Sequence, residues 1–106
     1  MVGCDEGDVQ KASGAYEVTV VDPMGMSTVG TASVTNSGDF FSIVIHSSLG
    51  DFAFTGTLVD DKIETTFTDA SGSSATAVIQ FSPDRSTFTG SIQTSTGLFV
   101  VRGFHL

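Results

Sequence analysis

The stretch DDKIETTFTDASGSSATAVIQFSPDR, residues 60–85, decides the fold. In IETTF, Ile63, Thr65 and Phe67 share one face, with Glu64 and Thr66 on the other. In ATAVIQF, Ala75, Ala77, Ile79 and Phe81 stand together against Thr76, Val78 and Gln80. Side chains that alternate with a period of two belong to strands with one face buried. DDK, DASGS and SPDR around them supply Asp, Gly, Pro and Ser, the residues a tight reversal needs.

The same pattern continues in both directions. DPMG at 22–25, NSGD at 36–39, SSLGD at 47–51 and TSTG at 94–97 add further reversals. Together these turns separate eight expected strands, at 14–21, 27–35, 40–46, 52–59, 62–68, 74–81, 86–93 and 98–105. No segment carries a sustained helical period. Short links throughout predict an all-β, antiparallel, eight-stranded up-and-down meander barrel, because closure removes the exposed edges of an open sheet. A two-sheet β-sandwich is the alternative, but it needs a long crossover that no link provides.

At 106 residues the chain has the length of one domain. Residues 1–13 are charged and aperiodic, which predicts a mobile leader or tether before a single barrel domain at 14–106. A formal charge of -8, with only 4 Lys and Arg, argues against nucleic acid as a partner. The one cysteine, Cys4, allows no internal disulfide, and no zinc-like spacing is present, so neither metal nor cofactor is expected. No run approaches the roughly 20 apolar residues of a membrane helix, and the opening residues lack the apolar core of an intact secretory signal. MVGC followed by a polar stretch nevertheless resembles the end of a bacterial lipoprotein signal. That resemblance implies lipidation at Cys4, membrane contact through the lipid, and an exported protein at the periplasm or cell surface. Without it the expectation is cytoplasmic.

FTGTL at 54–58 and FTGSI at 88–92 repeat one figure. They fall three strands apart and are therefore antiparallel, whereas a tandem duplication would preserve direction. Gly30, Gly56, Gly90 and Gly103 read as places where a small barrel bends or packs closely. The spaces beside Gly56 and Gly90 are also where a ligand could lie.

SGAYEVTV at the first strand and VVRGF at the last resemble the lipocalin and calycin pattern, through Gly14, Tyr16 and Arg102. The resemblance implies an eight-stranded meander barrel that carries a small apolar molecule, with Arg102 helping to close one end.

The two histidines, His46 and His105, fall at strand ends, and the aspartates fall in turns. Glu17 and Glu64 sit on outer faces. No nucleophile elbow or phosphate-binding loop occurs. With Tyr16, Val18, Val20, Phe41, Ile43, Ile45, Leu98, Val100 and Phe104 read as inward, Phe40, Val44, Phe99 and Val101 are left outside as a homodimer surface. The functional expectation is non-catalytic binding or carriage of a small apolar or neutral molecule, with Tyr16, Ser42, His46 and Arg102 as polar contacts. A filled barrel acting through its outer surface as a structural or protein-interaction domain is the alternative. An isomerase- or lyase-like enzyme using a rim histidine is a third reading.

Overall fold

The computed structural model describes residues 13–69 and 71–106. Its eight strands are β1 (Gly14–Val21), β2 (Ser27–Ser37), β3 (Phe40–Ser47), β4 (Gly50–Val59), β5 (Lys62–Thr68), β6 (Ser74–Phe81), β7 (Thr87–Thr94) and β8 (Gly97–His105). Each pairs antiparallel with its neighbour in sequence, and β8 returns to β1 in a register running from Tyr16↔His105 to Val21↔Val100. The meander barrel is therefore closed. Links are short because the turn residues suit them: Asp60 and Asp61 both take positive φ, 52° and 64°, the combination a two-residue hairpin favours.

One end, the lower pole, holds the start of β1 and the β2–β3, β4–β5 and β6–β7 turns. The upper pole holds the β1–β2, β3–β4, β5–β6 and β7–β8 turns. Inward residues fill the space between, as expected of eight strands, whose barrel is just wide enough for its own side chains. Tyr16, Phe41, Phe81 and Phe88 are buried toward the lower pole, and Val18, Ile43, Ile79, Ile92 and Val101 join the same continuous core. Tyr16 meets Phe88 edge-on at 5.1 Å between centroids, and Phe81 lies 5.7 Å from Phe88.

β8 departs from the sequence expectation. Val101 is fully buried and Phe99 packs against the core, whereas Leu98, Val100 and Phe104 face outward at 45%, 46% and 49% exposure. LFVVRGF is apolar on both faces, so its periodicity does not choose between them. Gly103 does. It pairs with Phe88, and a Cβ there would run into the Phe88 ring, so this inward position must stay empty of side chain. Val101 and Phe99 follow Gly103 inward. The expected dimer surface of Phe40, Val44, Phe99 and Val101 is accordingly not a single outer patch, since Val101 has no exposed surface.

The barrel wall is uneven. Between β4 and β5 the register is confined to Leu58↔Ile63 and Val59↔Lys62 at the lower end. Above it the two strands run side by side without a ladder, and the Phe54 and Phe67 rings meet there at 5.2 Å, tilted by 32°.

Candidate functional site

The two poles differ in kind. At the lower pole Arg85, at the end of the β6–β7 turn, adopts φ 61° and is only 7% exposed. Its guanidinium pairs with Asp61, and Nη1 donates to the Ser82 carbonyl at 3.2 Å. Nε is buried without a hydrogen-bond partner among the described residues. The Tyr16 hydroxyl donates to the Arg85 carbonyl at 3.4 Å, and Gln80 Nε2 donates to the Asp61 carbonyl at 3.2 Å. His105 lies edge-on to Tyr16 at 4.7 Å, its Nε2 2.8 Å from the Ser13 carbonyl. These groups seal the end.

Arg85 therefore takes the closing role expected of Arg102. Arg102 points outward on β8, opposite Thr19 and Thr89, because the reversed facing of that strand carries it out of the barrel. Ser42 lies on the outer face of β3 between Thr35 and Thr55. Tyr16 is fully buried within the seal. The spaces beside the two strand glycines are occupied by neighbours. A Cβ on Gly56 would come 2.7 Å from Ile63 Cγ2, and one on Gly90 would come 2.6 Å from Ile79 Cδ1. Cys4 lies outside the described residues.

The upper pole is open. Leu49, Asp51, Phe52, Ser71, Thr96 and Phe99 line a hollow of about 210 Å³ between three turns. Phe52 and Phe99 meet edge-on there, 5.1 Å apart. A second hollow of about 290 Å³ follows the unladdered part of the β4–β5 seam, lined by Val44, His46, Phe52, Ala53, Phe67 and Thr68. Asp51, Phe52 and Asp69 border both, so mouth and seam adjoin. A larger groove of about 780 Å³ lies outside the lower seam, among Thr55, Thr57, Lys62, Glu64 and Gln80. Phe40 and Val59 border it as well, and Lys62 and Glu64 pair with each other across 2.9 Å along it.

His46 belongs to the upper site. Its Nδ1 is 3.5 Å from Asp51 Oδ1, and both side chains are open to water. Asp69 Oδ1 accepts from the backbone amides of Ser71 and Ser73 at 3.0 Å each and from the Ser71 hydroxyl at 2.6 Å. The bond from the Ser71 hydroxyl, followed by the backbone donors, holds the Asp69 carboxyl below its usual range. The rim thus carries anionic side chains at neutral pH. Among the described residues no group of three or more His, Cys, Asp or Glu could hold a metal ion.

Of the residues expected at a site, the structure places only His46 at the upper mouth and seam. Phe52, Phe67, Phe99, Asp51 and Asp69 were not foreseen. A signal for the two mouth rings exists: GDF at 50–52 and GLF at 97–99 each set a Phe two residues after a turn glycine. That spacing delivers a ring to the start of a strand on the inward face.

No family model and no curated protein sequence matches the chain. Solved structures do. A redesigned β-barrel, b11L5F_LGL, is similar with a TM-score of 0.69 at 15% identity, over 93% of this chain and 95% of that one. A second redesigned β-barrel, mFAP1, bound to DFHBI, is similar with a TM-score of 0.67 at 23% identity, over 93% of this chain and 98% of that one. At these identities the likeness is one of fold.

Proposed function

We propose that the protein binds a small apolar molecule, neutral or cationic, without catalysis, at its upper mouth and the adjoining β4–β5 seam. The observation that carries this reading is the unladdered seam, which leaves Phe52 and Phe67 reaching a hollow on the outer wall beside the mouth, among the outward-facing Val44, His46 and Ala53. Apolar walls with a few polar groups at the rim suit recognition by shape and burial. His46, Asp51 and Asp69 supply those polar groups. The ligand-bound state of mFAP1 supports binding by a barrel of this fold, and the calycin-like Gly14-x-Tyr16 start points the same way. Carriage then takes place at the mouth, not in a deep central cavity.

Titration with Nile red, a neutral apolar dye, tests the reading. Saturable one-to-one binding is expected, with anilinonaphthalene sulfonate, an anionic probe, binding at least about tenfold more weakly because of the rim carboxylates. Thr68→Trp, which places a large side chain at the exposed edge of the seam, should abolish dye binding while preserving the melting transition. Absence of saturable binding, or full binding by Thr68→Trp, rejects the proposal.

A further inference from the structure

The strands of this barrel carry few charged side chains: Glu17, Asp51, Lys62, Glu64 and Arg102. Of the 12 Asp and Glu, one lies on the four consecutive strands β7, β8, β1 and β2: Glu17. One lysine or arginine lies there as well, Arg102. Both point outward. Around them Val29, Leu98, Val100 and Phe104 are 65%, 45%, 46% and 49% exposed, and Val21 stands directly opposite Val100. A hollow of about 380 Å³ opens in this face between Thr19, Val21, Val100, Arg102 and Phe104. The face thus sets an apolar strip beside the outward Ser and Thr side chains of β2 and β7, and its strand charges are one anion and one cation.

We infer that this face is a homodimer interface formed with a second copy of the same chain. The argument is charge complementarity under two-fold symmetry. In an isologous contact residue i meets j and j meets i, so one Glu17 and one Arg102 per copy make two equivalent ion pairs across the axis. Glu17 stands opposite Phe104 and Arg102 opposite Thr19, so the charges sit diagonally on the same patch, and Arg102 forms no ion pair among the described residues. Val100 and Phe104 of each copy offer apolar bulk to the hollow of the other. The acids at the turns of both poles repel a second copy placed end-on, and a side-by-side contact through this wall avoids them.

Size sets the strength. Four strands about 4.8 Å apart and eight residues long at about 3.3 Å each outline roughly 500 Å², below the about 800 Å² per partner of a standard stable interface. The dimer is accordingly weak and reversible.

Sedimentation velocity of the full chain from micromolar to near-millimolar concentration reads this directly. The weight-average mass should climb toward twice the chain mass. Arg102→Glu, which sets like charges against each other, should weaken association by about tenfold or more, and the double exchange Glu17→Arg with Arg102→Glu should restore it. All three positions in the test are solvent-facing, and circular dichroism with thermal melting verifies that each variant is folded. A wild-type chain that stays monomeric throughout overturns the inference. So does a dimer unchanged by Arg102→Glu and by Val100→Asp, or a double exchange that fails to restore association.

Discussion

Tyr16 joins more of the lower pole than any other side chain, touching Phe81, Phe88, His105 and the Arg85 carbonyl. Burial pushes its phenol up to about 12, and the nearby Arg85 guanidinium offsets part of that rise. The folded protein thus holds the phenolic proton more tightly than the unfolded chain, where tyrosine titrates near about 10. This contribution to stability is complete below pH ~10 and is lost as pH climbs to ~12, at most about 3 kcal/mol in all. The chain has one Tyr and no Trp, so tyrosinate absorbance follows a single group. The absorbance should stay flat through pH ~10 and rise only toward pH ~12 or together with alkaline unfolding, and Tyr16→Phe should lose less stability over that interval. Titration near pH ~10 with the fold intact would contradict the buried placement. The importance of Tyr16 was legible from Gly14-x-Tyr16, but its arginine partner was not. SPDR announces a turn, whereas the inward path of Arg85 depends on its left-handed φ of 61°, which the string does not disclose.

At the level of the strand, turn chemistry and period-two alternation located all eight elements to within two residues of their bounds. They failed where one signal outweighed the other. In β8, apolar residues on both faces left facing to be set by the contact between Gly103 and Phe88, which is invisible without the register. In β4 and β5 the alternation is regular in both strands, so nothing in FAFTGTLV or KIETTFT reveals that their ladder stops at Leu58↔Ile63. The seam has a measurable consequence, because backbone amides without a ladder partner exchange through small local openings. Seam-facing amides within residues 52–57 and 64–67 should exchange about tenfold or more faster than amides in the β1–β2 and β7–β8 ladders. Hydrogen exchange followed by NMR checks this, and uniform protection around the barrel would mean that the seam is laddered in solution.

Across the whole molecule, the most enclosed rings and the proposed binding site lie at opposite poles. The lower pole carries a ring cluster in which Phe88 is 1% exposed and packs against Tyr16, Phe81 and the vacant position at Gly103. Truncating such a ring leaves a cavity that the surrounding strands cannot close, at a cost of about 3–5 kcal/mol. Against a total stability of about 5–15 kcal/mol, that is a large share. Phe99 at the upper mouth is only half-buried and leans on one ring, Phe52. Its truncation exposes less than that of a fully enclosed Phe ring, at a cost of about 1–2 kcal/mol, while opening one wall of the proposed site. Phe88→Ala should therefore shift the denaturant midpoint sharply downward, and where it remains folded it should bind Nile red as the wild type does. Phe99→Ala should shift the midpoint slightly and weaken dye binding by about tenfold. Urea unfolding and dye titration on the same two proteins separate the effects. If both substitutions cost similar stability, or if Phe99→Ala binds normally, the division of labour between the poles is wrong, because a barrel packed evenly from end to end would make neither distinction.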